Sequence, residues 1–235
     1  MEDPGSIGHY VSLGDSISID LYPGLDVAER EGLARPPSGL GAASLLHRND
    51  DERWPSHRSR DLRSLGPAVG RTDLTADGAT TRDVLDRQVP RIPGDLDGPI
   101  LVTLTAGGND LLGLIDPIPR PVAWLLGRGA PGDVQGIVSN LREIVVRVRE
   151  RLPEALLLVA TVYDPTDGTG RLEGLERPEA VKVLHGLNDR ILELGERPGI
   201  RAVDLHGHFL GHGVAEPDPA ERWYWRHSII EPSAR

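Results

Sequence analysis

No cysteine occurs among the 235 residues, which excludes disulfides, thiolate nucleophiles and Cys-ligated zinc. It does not fix the compartment, because a secreted chain can also lack cysteine. Basic charge is in deficit too: 26 Lys and Arg stand against 36 Asp and Glu, a formal charge of -10. Such a balance repels nucleic acid and anionic lipid, although abundant arginine still admits a small anionic substrate. No apolar run approaches the roughly 18 residues of a membrane span, and no basic segment followed by an apolar stretch opens the chain. The expectation is a cytoplasmic chain, or one already stripped of a signal, with no membrane span and no nucleic-acid partner. Aromatic residues make up only 4%. The run Trp223-Tyr224-Trp225 therefore stands out, either as the wall of a substrate pocket or as an anchor for the chain end.

A hydrophobic fraction of 38% over this length supports a real core, and the chain reads as a single domain, 1–235. Three apolar runs have the character of buried parallel strands: His9 to Leu13, Pro99 to Thr105 and Ala155 to Tyr163. Arg71 to Ala76 and Ile200 to Leu205 complete a set of five. Helical period lies between them. Asp133 to Leu152 places Val134, Ile137, Val138, Leu141, Ile144, Val145 and Val148 on one face. Pro178 to Glu196 repeats the pattern with proline in its first turn, and Thr80 caps a shorter helix. Alternating strands and helices predict an α/β three-layer sandwich with a parallel sheet covered on both faces, whose ligands bind beyond the carboxyl ends of the strands. The segment from about 29 to 70, rich in Arg, Pro, Ser and Gly, reads as an irregular excursion over the site with one short helix near Gly41 to His47.

The residues that follow the first three strands carry chemistry. Gly14-Asp15-Ser16 supplies a hydroxyl nucleophile, and Asp77-Gly78-Ala79-Thr80-Thr81 supplies an unobstructed backbone N–H. Gly107-Gly108-Asn109-Asp110 supplies a side-chain amide. Each block alone is an ordinary turn. Three in this order at successive strand ends resemble the blocks of the SGNH hydrolases, also called the GDSL esterase and lipase superfamily. The resemblance implies a flavodoxin-like fold with a five-stranded parallel sheet and hydrolysis of esters, of carboxylesterase, lipase or deacetylase type, through an acyl-serine on Ser16. Gly78, Asn109 and the serine's own N–H would form the oxyanion hole. Neither cofactor nor metal is required, and the partner is a small-molecule ester.

The resemblance breaks near the C-terminus. The family's late Asp-x-x-His block, whose histidine is the general base, is absent; matching Pro232 to the family proline puts Glu231 at the histidine position and Ser228 at the aspartate position. The family pattern also continues into a terminal helix, whereas this sequence stops at Arg235. Several groups compete for the role of base. His227 lies four residues before Glu231, which a helical turn would let orient it. His212 lies in a glycine-flanked loop, and His206, His208 and Glu231 itself complete the set. Two rival readings accompany the esterase. In one, Asp204, His206 and His208 alternate on a strand and, with His212, ligate the metal of a metal-dependent hydrolase. In the other, the fold is a catalytically weak binding protein. The polar loop Asp164 to Gly170 is read as lining the rim.

Overall fold

The computed structural model describes residues 7–66, 68–115, 133–172, 175–224, 227–228, 230–231 and 233–234. Trp225 and Pro232 lie outside these. Five strands, β1 (His9–Gly14), β2 (Gly70–Asp73), β3 (Ile100–Thr105), β4 (Leu156–Ala160) and β7 (Ile200–Val203), form one parallel sheet in the order β2-β1-β3-β4-β7. The helices are α1 (Leu21–Glu31), α2 (Ala42–His47), α3 (Leu62–Leu65), α4 (Thr81–Asp83), α5 (Gly108–Ile115), α6 (Val134–Arg151), α7 (Pro178–Gly195) and α8 (Leu205–Phe209). A two-stranded antiparallel hairpin, β5 (Arg171–Leu172) and β6 (Leu175–Glu176), precedes α7.

Strand alternation divides the core. Val11, Leu13, Val102, Leu104, Leu157 and Val159 point to one face, where α6 and α7 press Ile137, Ile144, Val148, Leu187 and Ile191 against them. Tyr10 and Leu101 point to the other, against Ala43 of α2, Leu62 of α3 and Val69. The segment expected to be irregular thus forms the opposite layer of the sandwich. Its fold-back is tied by Asp20, whose carboxylate accepts from Gly39 N (2.8 Å), Gly41 N (2.9 Å) and Ser44 Oγ (2.6 Å).

Two strands are shorter than the apolar runs that announce them. After Ala160 the chain leaves the sheet, and Val162 is held instead by the Asn188 side chain, which accepts from its N–H and donates to its carbonyl, both at 2.8 Å. The last strand stops at Val203 because Asp204 caps a helical turn, its carboxylate accepting from Gly207 N at 2.9 Å. His206 and His208 therefore sit on a helix. The strand alternation that would have made them a chelating pair does not exist.

Strand order runs outward in opposite directions from β1 and β3, so the two connections leave on opposite sides and open a crevice at the carboxyl ends of this pair. Gly14 pairs in register with Thr105, which starts both following loops at the same level.

Candidate active site

Gly14 ends β1 at φ 133°, and a Cβ there would collide with the backbone and side-chain oxygens of Thr105, so only glycine lets the two strand ends approach this closely. Gln88 fixes it from the side. Its buried amide accepts from Gly14 N at 2.7 Å and donates to Gly14 O at 2.8 Å. Asp15 N donates to Thr105 O, and Ser18 N closes a tight turn on Asp15 O, which lifts Ser16 over the crevice. Burial pushes the Asp15 carboxyl up to about 7, against hydrogen bonds from Thr105 and Ile17 N.

The second and third loops are locked together. Asp110, at the start of α5, accepts from Thr81 N (2.8 Å) and Thr81 Oγ1 (2.7 Å), while Asn140 donates to the same hydroxyl at 3.0 Å. Thr80 and Asp83 form a reciprocal capping box that begins α4. Between these ties Gly78 adopts φ 68°, a left-handed turn that favours glycine even though a methyl group at this position would meet nothing within 4 Å. Asn109 Nδ2 donates one hydrogen to Ala79 O at 3.0 Å, which orients the amide and leaves its second hydrogen to donate elsewhere. Ser16 and Asn109 line one cavity; Gly78 is joined to them through the Ala79 contact.

The late segment completes this cavity with a carboxylate. Glu231 is buried and lines the same cavity as Ser16. Burial raises its pKa to about 7; the nearby Ser16 hydroxyl opposes that, and the negative charges of Asp77 and Asp15 add to it. Its Oε2 is buried and without a hydrogen-bond partner. The expected histidines are elsewhere. His227 pairs through Nε2 with Glu29 Oε1 at 3.0 Å rather than with Glu231. His212 stacks on Trp223 with ring centroids 3.6 Å apart and bonds through Nδ1 to Glu221 O. Of the five candidate bases, Glu231 is the one that lines the cavity together with Ser16.

The tail that carries Glu231 is held at several points. Tyr163 donates its hydroxyl to Ile230 O, and Ser233 N donates to Trp223 O at 2.8 Å. Ala234 N donates to buried Asp26 at 2.9 Å, and Arg30 bonds Ala234 O at 3.3 Å. Tyr163, Phe209, Trp223 and Tyr224 pack in a chain of ring contacts with centroids 5.3 to 5.8 Å apart. Trp223 and Tyr224 anchor the tail, and Tyr163 also lines the cavity. The rim loop is shaped by Asp164, which accepts from Thr166 N, Thr166 Oγ1 and Gly168 N, and is tied outward through Asp167, which accepts from Gly211 N and Gly213 N; several of its residues line the cavity. Among the described residues no group of three or more His, Asp or Glu side chains is gathered to hold a metal. Asp204 is spent as a helix cap and as an acceptor from Thr161 Oγ1, and His212 on its stack with Trp223.

Gln88, Asn188 and Asp26 had no motif to announce them. Each is a buried polar residue inside an otherwise amphipathic helical stretch, which is the one signal a sequence gives of an inward hydrogen bond.

A parallel sheet of this order, with a serine, a glycine and an asparagine on loops that open at one edge, defines a hydrolase of ester bonds built on the SGNH, flavodoxin-like plan. The chain belongs to the GDSL-like lipase/acylhydrolase family, whose sequence pattern matches residues 12–233. No curated relative matches it in sequence. Solved structures share its fold at low identity. An extracellular lipase from Streptomyces rimosus is 17% identical, with a TM-score of 0.55 over 96% of this chain and 93% of that one. An alpha/beta hydrolase enzyme from the metagenome of Lake Arreo is 20% identical, with a TM-score of 0.60 over 96% and 87%. A catalytic mutant of an acetylxylan esterase from Geobacillus stearothermophilus is 15% identical, with a TM-score of 0.59 over 100% and 90%. Among the described residues no helix is long and apolar enough to cross a membrane.

Proposed function

We propose that this chain cleaves small carboxylic esters through an acyl-serine on Ser16, with Glu231 in the role that a histidine fills in the family pattern. The observation that carries the reading is a buried carboxylate, Glu231, lining the same cavity as Ser16 and Asn109. An ordinary carboxylate is too weak a base for a serine hydroxyl near neutral pH. One raised to about 7 has an affinity for protons close to that of imidazole, which suits general-base work at that pH.

Ionised Glu231 takes the Ser16 hydroxyl proton as Oγ bonds to the ester carbonyl carbon. The carbonyl π electrons move to oxygen, and the resulting oxyanion accepts hydrogen bonds from the Asn109 amide and the Gly78 and Ser16 N–H groups. Collapse breaks the bond to the alcohol oxygen, which takes the proton back from the Glu231 carboxylic acid. Water then repeats the sequence on the acyl-serine and releases the acid. Asp15 and Asp77 contribute by their charge, which holds the Glu231 proton affinity up.

A fluorophosphonate probe tests the assignment. Stoichiometric labelling of the wild type, lost in Ser16→Ala, with a rate that rises with pH through an apparent midpoint near 7, is the expected result. Folded wild type that does not label points to the binding-protein alternative and removes the reading.

A further inference from the structure

We infer that the cavity beside Ser16 is an acyl pocket for uncharged groups of about six carbons, aliphatic or aromatic; this rests on the acyl-serine reading above. The cavity measures about 150 Å³ and runs from Ser16, Asn109 and Glu231 to the start of α7. Away from the catalytic end its wall is mostly hydrocarbon, from Leu111 and Leu112 of α5, Val162 after β4, and Ala180, Val181 and Leu184 of α7, with Asp164, Thr166 and Arg177 as its polar part. Leu184 and Leu111 are buried, whereas Leu112 is 39% exposed, a large apolar side chain left at the open side. A space of roughly 150 Å³ is large enough for a group the size of benzene.

The acyl group is the part of the ester that this space suits. It remains bound to Ser16 through both half-reactions, whereas the alcohol must leave and be replaced by water next to Glu231. A lasting occupant gains from an apolar wall; a departing one does not. Charge argues for a neutral occupant, because Asp15 and Glu231 line the serine end and Asp77 adds to the same field. The pocket floor is set by α7, whose first turn starts at Pro178 and presents Ala180 and Val181 to the space. Small residues there leave the length that larger ones would remove.

A series of p-nitrophenyl esters from acetate to dodecanoate, with the alcohol held constant, reads the pocket. The expected kcat/KM rises about fourfold for each methylene buried, up to hexanoate, and then levels or falls. Ala180→Phe shortens the optimum to butyrate or below, and Val181→Ala lengthens it by about two carbons. Both positions are half-exposed, so both variants are expected to fold. Ser16-dependent hydrolysis with a flat or acetate-first profile that neither variant moves overturns the acyl pocket while leaving the esterase reading intact. A preference for half-esters of dicarboxylic acids, lost in Arg177→Ala at the rim, also overturns it. Absence of Ser16-dependent hydrolysis across the whole series removes the esterase reading and the pocket with it.

Discussion

Ser16 and Asn109 follow directly on adjacent, paired strands, Asn109 in the first turn of α5, whereas Glu231 stands on a tail that belongs to none of the five strands. The first two are placed by the sheet itself: Gly14 opposite Thr105, Gln88 clamping Gly14, and Asp110 tying the second loop to the third. Glu231 is placed by contacts that span the chain, Tyr163 to Ile230 and Asp26 to Ala234, the latter 208 residues apart. On the proposed reading, the oxyanion donors are a property of the fold, and the base is a property of how the tail is tied down. This also accounts for where the scarce aromatics went, since four of them pack together to hold that tail.

Breaking each side of the comparison gives graded effects. Ser16→Ala should reduce kcat by about 10⁴-fold or more, since it removes the atom that carries the acyl group. Asn109→Ala should cost roughly 10²–10³-fold in kcat with KM little changed, as expected for one oxyanion donor; an unaltered rate would remove Asn109 from the hole. Asp26→Ala, outside the cavity, should lower kcat by about 10-fold through the tail alone, and Asp26→Asn, which keeps an acceptor oxygen for Ala234 N, should restore most of it. Equal loss in both Asp26 variants would mean that charge, not the bond to the tail, is what matters. His212→Ala and His227→Ala should each change kcat/KM by no more than about 2-fold, because their rings are engaged with Trp223 and Glu29.

The same comparison has a pH signature. Burial raises Glu231 from its ordinary 4.5, and Asp15 from 3.8, each to about 7 in the folded protein. Between those values the folded state binds protons that the unfolded chain has released. Stability contributed by these groups is therefore present at the acid end and lost as pH rises through 7. Activity runs the other way, appearing as Glu231 ionises. Thermal melts from pH 5 to 8 should show a declining Tm with a smaller slope in Glu231→Gln, while kcat/KM of the wild type climbs across the same window.

What can be read from the sequence follows the same division. The sheet, α6, α7 and the three donor blocks are legible because each is a local pattern: an apolar run, a 3-4 period, or a glycine-bearing loop immediately after a strand. The ends of β4 and β7 are not, because Asn188 and Asp204 take over backbone partners that hydrophobicity does not reveal. The short helix near Gly41 to His47 is legible, whereas α1 and α3 escape a sequence reading where arginine and proline mask short helices. From the sequence the base stays open among His227, His212, His206, His208 and Glu231 because a tail's path depends on distant anchors. Burial, which raises the Glu231 carboxyl to about 7, exists only once those anchors are in place.

Whether Glu231 is the base is decided by the rate of phosphonylation by the fluorophosphonate at pH 8, compared between wild type, Glu231→Gln and the double variant His212→Ala/His227→Ala. Labelling should slow by about 10²-fold or more in Glu231→Gln and stay near the wild-type rate in the histidine double variant. A Glu231→Gln protein that labels at the wild-type rate, or a histidine variant that loses labelling while remaining folded, would contradict the assignment.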